Sequence, residues 1–336
     1  MRTETKLLSS ALAVALILGI SAGQPGAATA RVPQISPKIA ALGLTGKLFY
    51  HRYGEYGDWA SKLFELDLAT GRLVRIDKEW SSAKSPLNAH PNAAGTAITF
   101  MGTATGLEEN EWDVFVSQWN GTAWADPINL TGPNGKRDED PKFSPNGHTI
   151  TYKENGVLAT IEMYGTNKQM LTEGKPESSM PFFTSDGLGL LFERDGSIWL
   201  RNQDGSERKL WKKKLTSAYY PINVNRDRFL FTEVQTSRHD RLMFGFYNGN
   251  KATPLFFGSN DCDNSDAYPY KQAKRFVFYV STCPIPFKAL YRGGYNIMLA
   301  DRKLKKVYSV DAFNTRVNSD LLELGPAWSA NAPMPQ

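Results

Sequence analysis

Asp138-Glu139-Asp140-Pro141-Lys142-Phe143-Ser144-Pro145-Asn146-Gly147 is the stretch that decides the fold, because its pattern returns five more times along the chain. The pattern is a small or polar residue, a proline, a short turn, then an alternating apolar strand ending in an aromatic. The other copies are Asn88-Ala89-His90-Pro91, Ser179-Met180-Pro181-Phe182-Phe183, Ala218-Tyr219-Tyr220-Pro221, Asp266-Ala267-Tyr268-Pro269-Tyr270 and Leu324-Gly325-Pro326-Ala327-Trp328. The prolines stand 50, 40, 40, 48 and 57 residues apart. Self-similarity at that period marks a β-propeller or another array.

Working outward from each copy, a second strand follows with apolar residues at every other position. Examples are Ile98/Phe100, Ile150/Tyr152, Leu190/Phe192, Phe229/Phe231 and Phe276/Phe278. Ser144-Pro145-Asn146-Gly147 and Thr184-Ser185-Asp186-Gly187 join the first two strands, and Asn-Gly or Asp-Gly supplies the positive φ of a tight hairpin. A third strand such as Ser197 to Leu200 and a short fourth complete each unit. Four antiparallel strands per 40 to 57 residues is a propeller blade. The opening strands, Gly46 to Tyr53, Lys62 to Leu68 and Arg72 to Ile76, lack a proline motif, whereas Gly325-Pro326 lacks following strands. The C-terminal strand is therefore expected to be the innermost strand of the first blade, closing the ring and removing two exposed edges. The expected fold is all-β, a six-bladed propeller of four-stranded antiparallel blades.

The 138–147 stretch, running on to Ile150 and Tyr152, resembles the repeat of TolB-like propellers, the WD40-like (PD40) repeats of bacterial envelope proteins. Ser265 to Pro269, followed by Gly293 to Asp301, resembles another such blade. The resemblance covers Leu42 to about Ala330 and implies fold more than activity. TolB itself carries an extra α/β domain before its propeller, for which this sequence leaves no room, so a relative in architecture is expected.

At the N-terminus, Arg2 and Lys6 precede the apolar run Leu7 to Ile20, and Ala28-Thr29-Ala30 supplies a small-x-small cleavage site. Residues 1–30 read as a secretory signal peptide, 31–41 as a linker and 42–336 as the propeller. The remaining chain has no apolar run of transmembrane length, and a soluble periplasmic or secreted monomer is expected. Its net charge of +5, or +4 without residues 1–30, fits a mixed surface. Lys212-Lys213-Lys214 is too short to argue for nucleic acid, so the expected partner is an envelope protein or an acidic polysaccharide. The two cysteines, Cys262 and Cys283, bracket a hairpin turning at Lys271 to Lys274 and should form a structural disulfide in an oxidising compartment.

Loops between second and third strands are tight in blades three and four but long in blades one, two, five and six, at Gly54–Ala60, Gly102–Trp112, Glu233–Asp240 and Ser281–Gly294. Those four blades are neighbours in the closed ring, so the long loops should form a crescent-shaped site on one face. Candidate binding residues on that face are His51, Arg52, Tyr53, Trp59, Arg137, Asp140 and Arg292. A β-elimination on a uronate polysaccharide would need a base, an acid and a cation, which His90 or His239, Tyr219 or Tyr220, and Arg238 or Arg52 would supply. Ulvan and oligogalacturonate lyases are similar in fold and use those residue types. Binding remains the first reading and lyase chemistry the alternative. No cofactor is expected. Asp261, Asp263 and Asp266 are calcium-ligand types, with turn capping as the competing reading. His51, His90 and His239 lack metal-ligand spacing, and no Gly-x-Ser-x-Gly elbow supports a peptidase.

Overall fold

The computed structural model describes residues 35–55, 57–106, 111–212, 216–236, 239–255, 262–283 and 294–335. The signal-peptide reading and most of the linker lie outside them. Within the linker, Pro37–Ala40 forms one turn of helix whose Ile39 is buried against Leu44, Val310 and Phe313. No helix among the described residues is long and apolar enough to cross a membrane.

Six four-stranded antiparallel sheets make up the body. Blade two runs Ala83–Pro91, Ala97–Ala104, Asp113–Gln118 and Ile128–Asn129. Blade three runs Asp138–Phe143, Thr149–Glu154, Val157–Glu162 and Gln169–Met170. Blade four runs Ser178–Phe183, Gly189–Arg194, Ser197–Asn202 and Glu207–Trp211. Blade five runs Ser217–Asn223, Arg228–Thr236, His239–Phe246 and Gly249–Pro254. Blade six runs Asn264–Pro269, Phe276–Ser281, Asn296–Asp301 and Lys306–Ser309.

Blade one is shared between the ends of the chain, as expected. Its inner strand is Leu322–Ser329, followed by Lys47–Tyr53, Lys62–Asp67 and Leu73–Arg75. The closing pair is antiparallel, with Lys47 opposite Ser329 and Tyr53 opposite Leu322. Apolar faces of successive blades pack on one another. Phe49, Leu63 and Ala327 of blade one meet Ile98, Phe100 and Phe115 of blade two, while Leu230, Leu242 and Phe244 of blade five meet Val277 and Tyr279 of blade six.

Each inner strand carries a bulge, and the residue at its start has positive φ: Asn88 (54°), Asp140 (55°), Met180 (53°), Tyr220 (54°), Asp266 (47°) and Gly325 (61°). This bulge, not the proline, is the register mark of the repeat. Pro141, Pro181, Pro221 and Pro326 follow the positive-φ residue directly, but Pro91 and Pro269 come three residues after it, with Ala89 and Ala267 in the equivalent slot. Proline is tolerated at both places because the inner strand is the edge of its sheet and needs no further ladder donor there. Gly325 serves a second need. A Cβ on it would stand 2.8 Å from the His51 ring and 2.9 Å from Asn88 Oδ1.

The Cys262–Cys283 disulfide is present, with Cα atoms 5.1 Å apart. It continues the register of blade six, where Asn264 faces Ser281. Constraining about twenty residues of unfolded chain is worth roughly 3 kcal/mol. Reduction, or a Cys262→Ser/Cys283→Ser variant, should lower the urea-unfolding free energy by that order. An unchanged midpoint would mean that the ladder alone holds blade six.

The interface of blades one and two buries a carboxylate. Glu65 is fully buried; Oε2 accepts from Trp124 Nε1 at 2.9 Å, and Oε1 has no hydrogen-bond partner among the described residues. Burial, partly offset by the Trp124 hydrogen bond, pushes its pKa up to about 8. The folded state therefore holds a proton that the unfolded chain releases near the ordinary value, and this contribution is lost as pH rises through about 8. Glu65→Gln should flatten the pH dependence of stability by up to about 1 kcal/mol per pH unit between roughly pH 5 and 8. Parallel wild-type and variant slopes in urea titrations would refute the assignment.

Candidate functional site: the central channel and its two mouths

Inner strands start on the face that carries the loops between second and third strands, and they end on the opposite face. Contacts between blades that are not neighbours can form only across the axis, so they identify the channel lining. Lys142 of blade three lies with Nζ 5.9 Å from the Tyr220 ring centroid of blade five. His90 of blade two touches Phe182 of blade four, centroids 5.4 Å apart, and Tyr268 of blade six through Nε2 at 3.2 Å from the hydroxyl. The lining is built in layers from the bulges. The bulge residues Asn88, Asp140, Met180, Tyr220, Asp266 and Gly325 form one tier. Two positions later His90, Lys142, Phe182 and Tyr268 form the next.

The upper tier is largely polar, with Asn88, Asp140, Tyr220 and Asp266 among its six residues. Asn88 Nδ2 donates to Asp140 Oδ1 at 2.8 Å, and Asn88 N donates to His51 Nδ1 at 3.2 Å. The buried Lys142 Nζ reaches Pro141 O at 3.3 Å. Burial lowers the Lys142 pKa, against the opposing pull of Asp140 and Asp266. Burial raises Asp140, and raises Asp266 to about 7 with Asp140 adding to the effect. Burial, then the Lys142 charge, holds His51 down to about 3, so its ring is neutral. Met180 and Tyr220 occupy a φ region that costs a bulky residue on the order of 1–3 kcal/mol, and both sit in this ring.

The other candidates on the long-loop face are engaged with the scaffold. Arg52 donates to Glu323 Oε1 and to the carbonyls of Arg316 and Val317, each at 2.7 Å. Arg137 donates to Glu139 at 2.5 Å, and Tyr219 donates to Asp240 Oδ2 at 2.5 Å. Tyr53 and Trp59 pack on a cluster of Leu87, Met101 and Trp112, with the Trp59 and Trp112 rings 4.4 Å apart. Trp59 therefore anchors its loop. Arg238, Arg292 and Asp261, and the side chain of His239, lie outside the described residues. Asp263 accepts from Asp240 N at 3.0 Å. Among the described residues, no three or more His, Cys, Asp or Glu side chains are grouped to hold a metal.

Two expectations about this face change. The blade-five segment Glu233–Asp240 is mostly ladder rather than loop, since pairing continues out to Thr236 opposite His239. It stands beyond blades three and four, whose hairpins turn at Asn155-Gly156 and Asp195-Gly196. His90 does not face Tyr219 or Tyr220; its partner is Tyr268, which the sequence reading did not single out. The signal was available, because His90 and Tyr268 hold the same slot two residues after the bulge. Both line a pocket of about 340 Å³ at the opposite mouth of the channel, with Phe143, Phe182 and Trp328.

No protein-family model matches this sequence, and no curated protein matches it. Solved structures match in fold. TolB from Acinetobacter baumannii is 13% identical with a TM-score of 0.62, over 84% of this chain and 66% of its own. A putative TolB from Agrobacterium tumefaciens is also 13% identical, TM-score 0.55, over 80% and 89%. The hydrazine synthase of Kuenenia stuttgartiensis is 12% identical, TM-score 0.64, over 87% and 47%. This chain thus spans just under two thirds of the first of these and most of the second. In fold, the chain is a six-bladed propeller similar to the propellers of these TolB structures.

Proposed function

We propose that this chain is an exported binding module of the bacterial cell envelope that holds an envelope protein or an acidic polysaccharide on its long-loop face. One observation carries the reading. The polar candidates described on that face bond to one another and to the scaffold rather than converging on a point. Arg52 is held by Glu323, Arg137 by Glu139 and Tyr219 by Asp240. A surface fixed in this way suits recognition, whereas elimination chemistry needs an acid, a base and a cation aimed at one proton. The extended blade-five hairpin adds relief on the crescent's side. The apolar leader and the disulfide support export.

The test places a photo-crosslinking residue at exposed Glu55 or Thr105 on the long-loop face, or at exposed Asn146 or Asp204 on the opposite face. Adducts in intact cells are expected from the first pair only. Adducts confined to the second pair would reverse the assignment of the face. The lyase alternative is checked separately by absorbance near 235 nm on uronate polysaccharides, where a binding module gives a flat trace.

A further inference from the structure

The pocket at the opposite mouth of the channel is independent of the long-loop face, and its chemistry is specific. Its walls are Phe143, Phe182, Trp328 and the prolines of the inner-strand ends, and among the described residues no carboxylate lines it. Among the described residues of its lining, Lys271 at the rim is the one that carries a charge. Its polar floor is His90 and Tyr268.

The hydrogen bonds of that floor assign the protons. Phe143 N donates to His90 Nδ1 at 3.1 Å, so Nδ1 is an acceptor. Burial and the nearby Lys142 charge hold the imidazole neutral, and its one proton is then on Nε2. Nε2 donates to the Tyr268 hydroxyl oxygen 3.2 Å away. Tyr268 keeps its own proton, since burial raises its pKa. That proton has no acceptor among the described residues. The hydroxyl proton of Tyr268 is thus left to donate into an aromatic pocket. Much of the surrounding polar lining is already engaged. Asn92 Oδ1 accepts from the Thr96 and Ala97 amides, and Ser144 Oγ donates to Asn146 Oδ1 and accepts from Thr149 N. Asn223 bonds Ser185 and Tyr247.

We propose that this pocket binds a small aromatic carboxylate, its ring between Phe143, Phe182 and Trp328, one oxygen accepting from Tyr268 and the charge facing Lys271. A sugar fits poorly, because it would bring many hydroxyls to a site with few unengaged partners. About 340 Å³ lies at the small end of ligand pockets and suits a single ring with a short acidic arm.

Isothermal titration calorimetry of the purified mature chain with cinnamate tests this, using cinnamamide and galacturonate as comparison ligands. Cinnamate should bind with a dissociation constant below about 1 mM, and galacturonate should not. Tyr268→Phe should weaken cinnamate about five- to tenfold, as loss of one hydrogen bond does. Lys271→Ala should weaken cinnamate but leave cinnamamide unchanged. Ala330→Trp, at an exposed position of the mouth, should abolish both while leaving the melting temperature unaltered. Absence of cinnamate binding at 10 mM to folded protein would overturn the proposal. So would equal binding by the Ala330→Trp variant.

Discussion

Ending the chain at Ser319 is expected to abolish the cooperative melting transition, the largest effect of any change considered. The lost strand, Leu322–Ser329, is the inner strand of blade one and pairs along nearly the whole of Lys47–Tyr53. It buries Ala327 against blades one and two, and packs Leu324 and Trp328 on the core shared by blades six and one. Residues beyond it latch onto blade two, where Asn331 Nδ2 donates to Ala93 O at 3.0 Å and Ala332 is buried. Truncation therefore removes closure itself, leaving an open arc with an unpaired strand at blade one and an uncovered face on its neighbours. The loss should come from topology and not from the residues as such. A circular permutant that joins Ser329 to Lys47 through a short hairpin turn, with new termini near residue 320, should therefore melt cooperatively. Those two residues already face each other in the ladder, and Trp328 Nε1 donates to Thr45 O at 2.9 Å across the gap. Differential scanning calorimetry of both chains checks this. A cooperative peak from the truncated chain near the wild-type temperature would show that closure is dispensable.

The blade pattern was legible because a two-residue period and Asn-Gly or Asp-Gly turns are local signals. The shared first blade followed from an orphan motif at one end and a missing one at the other. What could not be read was the register of the inner strands. Prolines at two different slots look alike in sequence, and only backbone φ shows that Asn88 and Asp266, not the residues next to Pro91 and Pro269, begin the bulges. The site suffered most from this. His90, Lys142, Phe182 and Tyr268 come from four blades and meet only across the axis, where no sequence spacing brings them together. Loop length alone does not mark a crescent, because a long segment such as Glu233–Asp240 can be spent on ladder pairs. Arginines and tyrosines on that face read as ligand-binding types, yet the same types serve as struts when a buried carboxylate stands opposite.

Arg52 is such a strut, and replacing it should be costly. Glu323 is fully buried, and its carboxylate accepts from Arg52 Nε at 2.7 Å and from the Ser319 hydroxyl at 2.5 Å. Burial raises the Glu323 pKa, and the hydrogen bonds to Ser319 and the charge of Arg52 pull it back. Arg52→Ala removes the cation and leaves a buried carboxylate with only the Ser319 donors. Breaking a buried pair from one side costs about 3–5 kcal/mol, and the remaining donors put the expected value near the lower figure. The sign with pH follows. Without Arg52, Glu323 holds its proton more tightly in the folded state than in the unfolded chain. The variant's deficit should shrink as pH falls toward the ordinary carboxylate range and grow toward neutrality. Arg52→Met, which keeps apolar contact with the Phe64 ring now 4.6 Å from the guanidinium carbon, separates lost packing from lost charge. Adding Glu323→Gln to it should recover part of the loss, because no charge then remains buried. Urea titrations of the single and double variants at pH 5 and 7.5 measure the coupling. A wild-type midpoint for Arg52→Ala at both pH values, together with weakened binding of an envelope ligand, would make Arg52 a contact residue of the long-loop face instead.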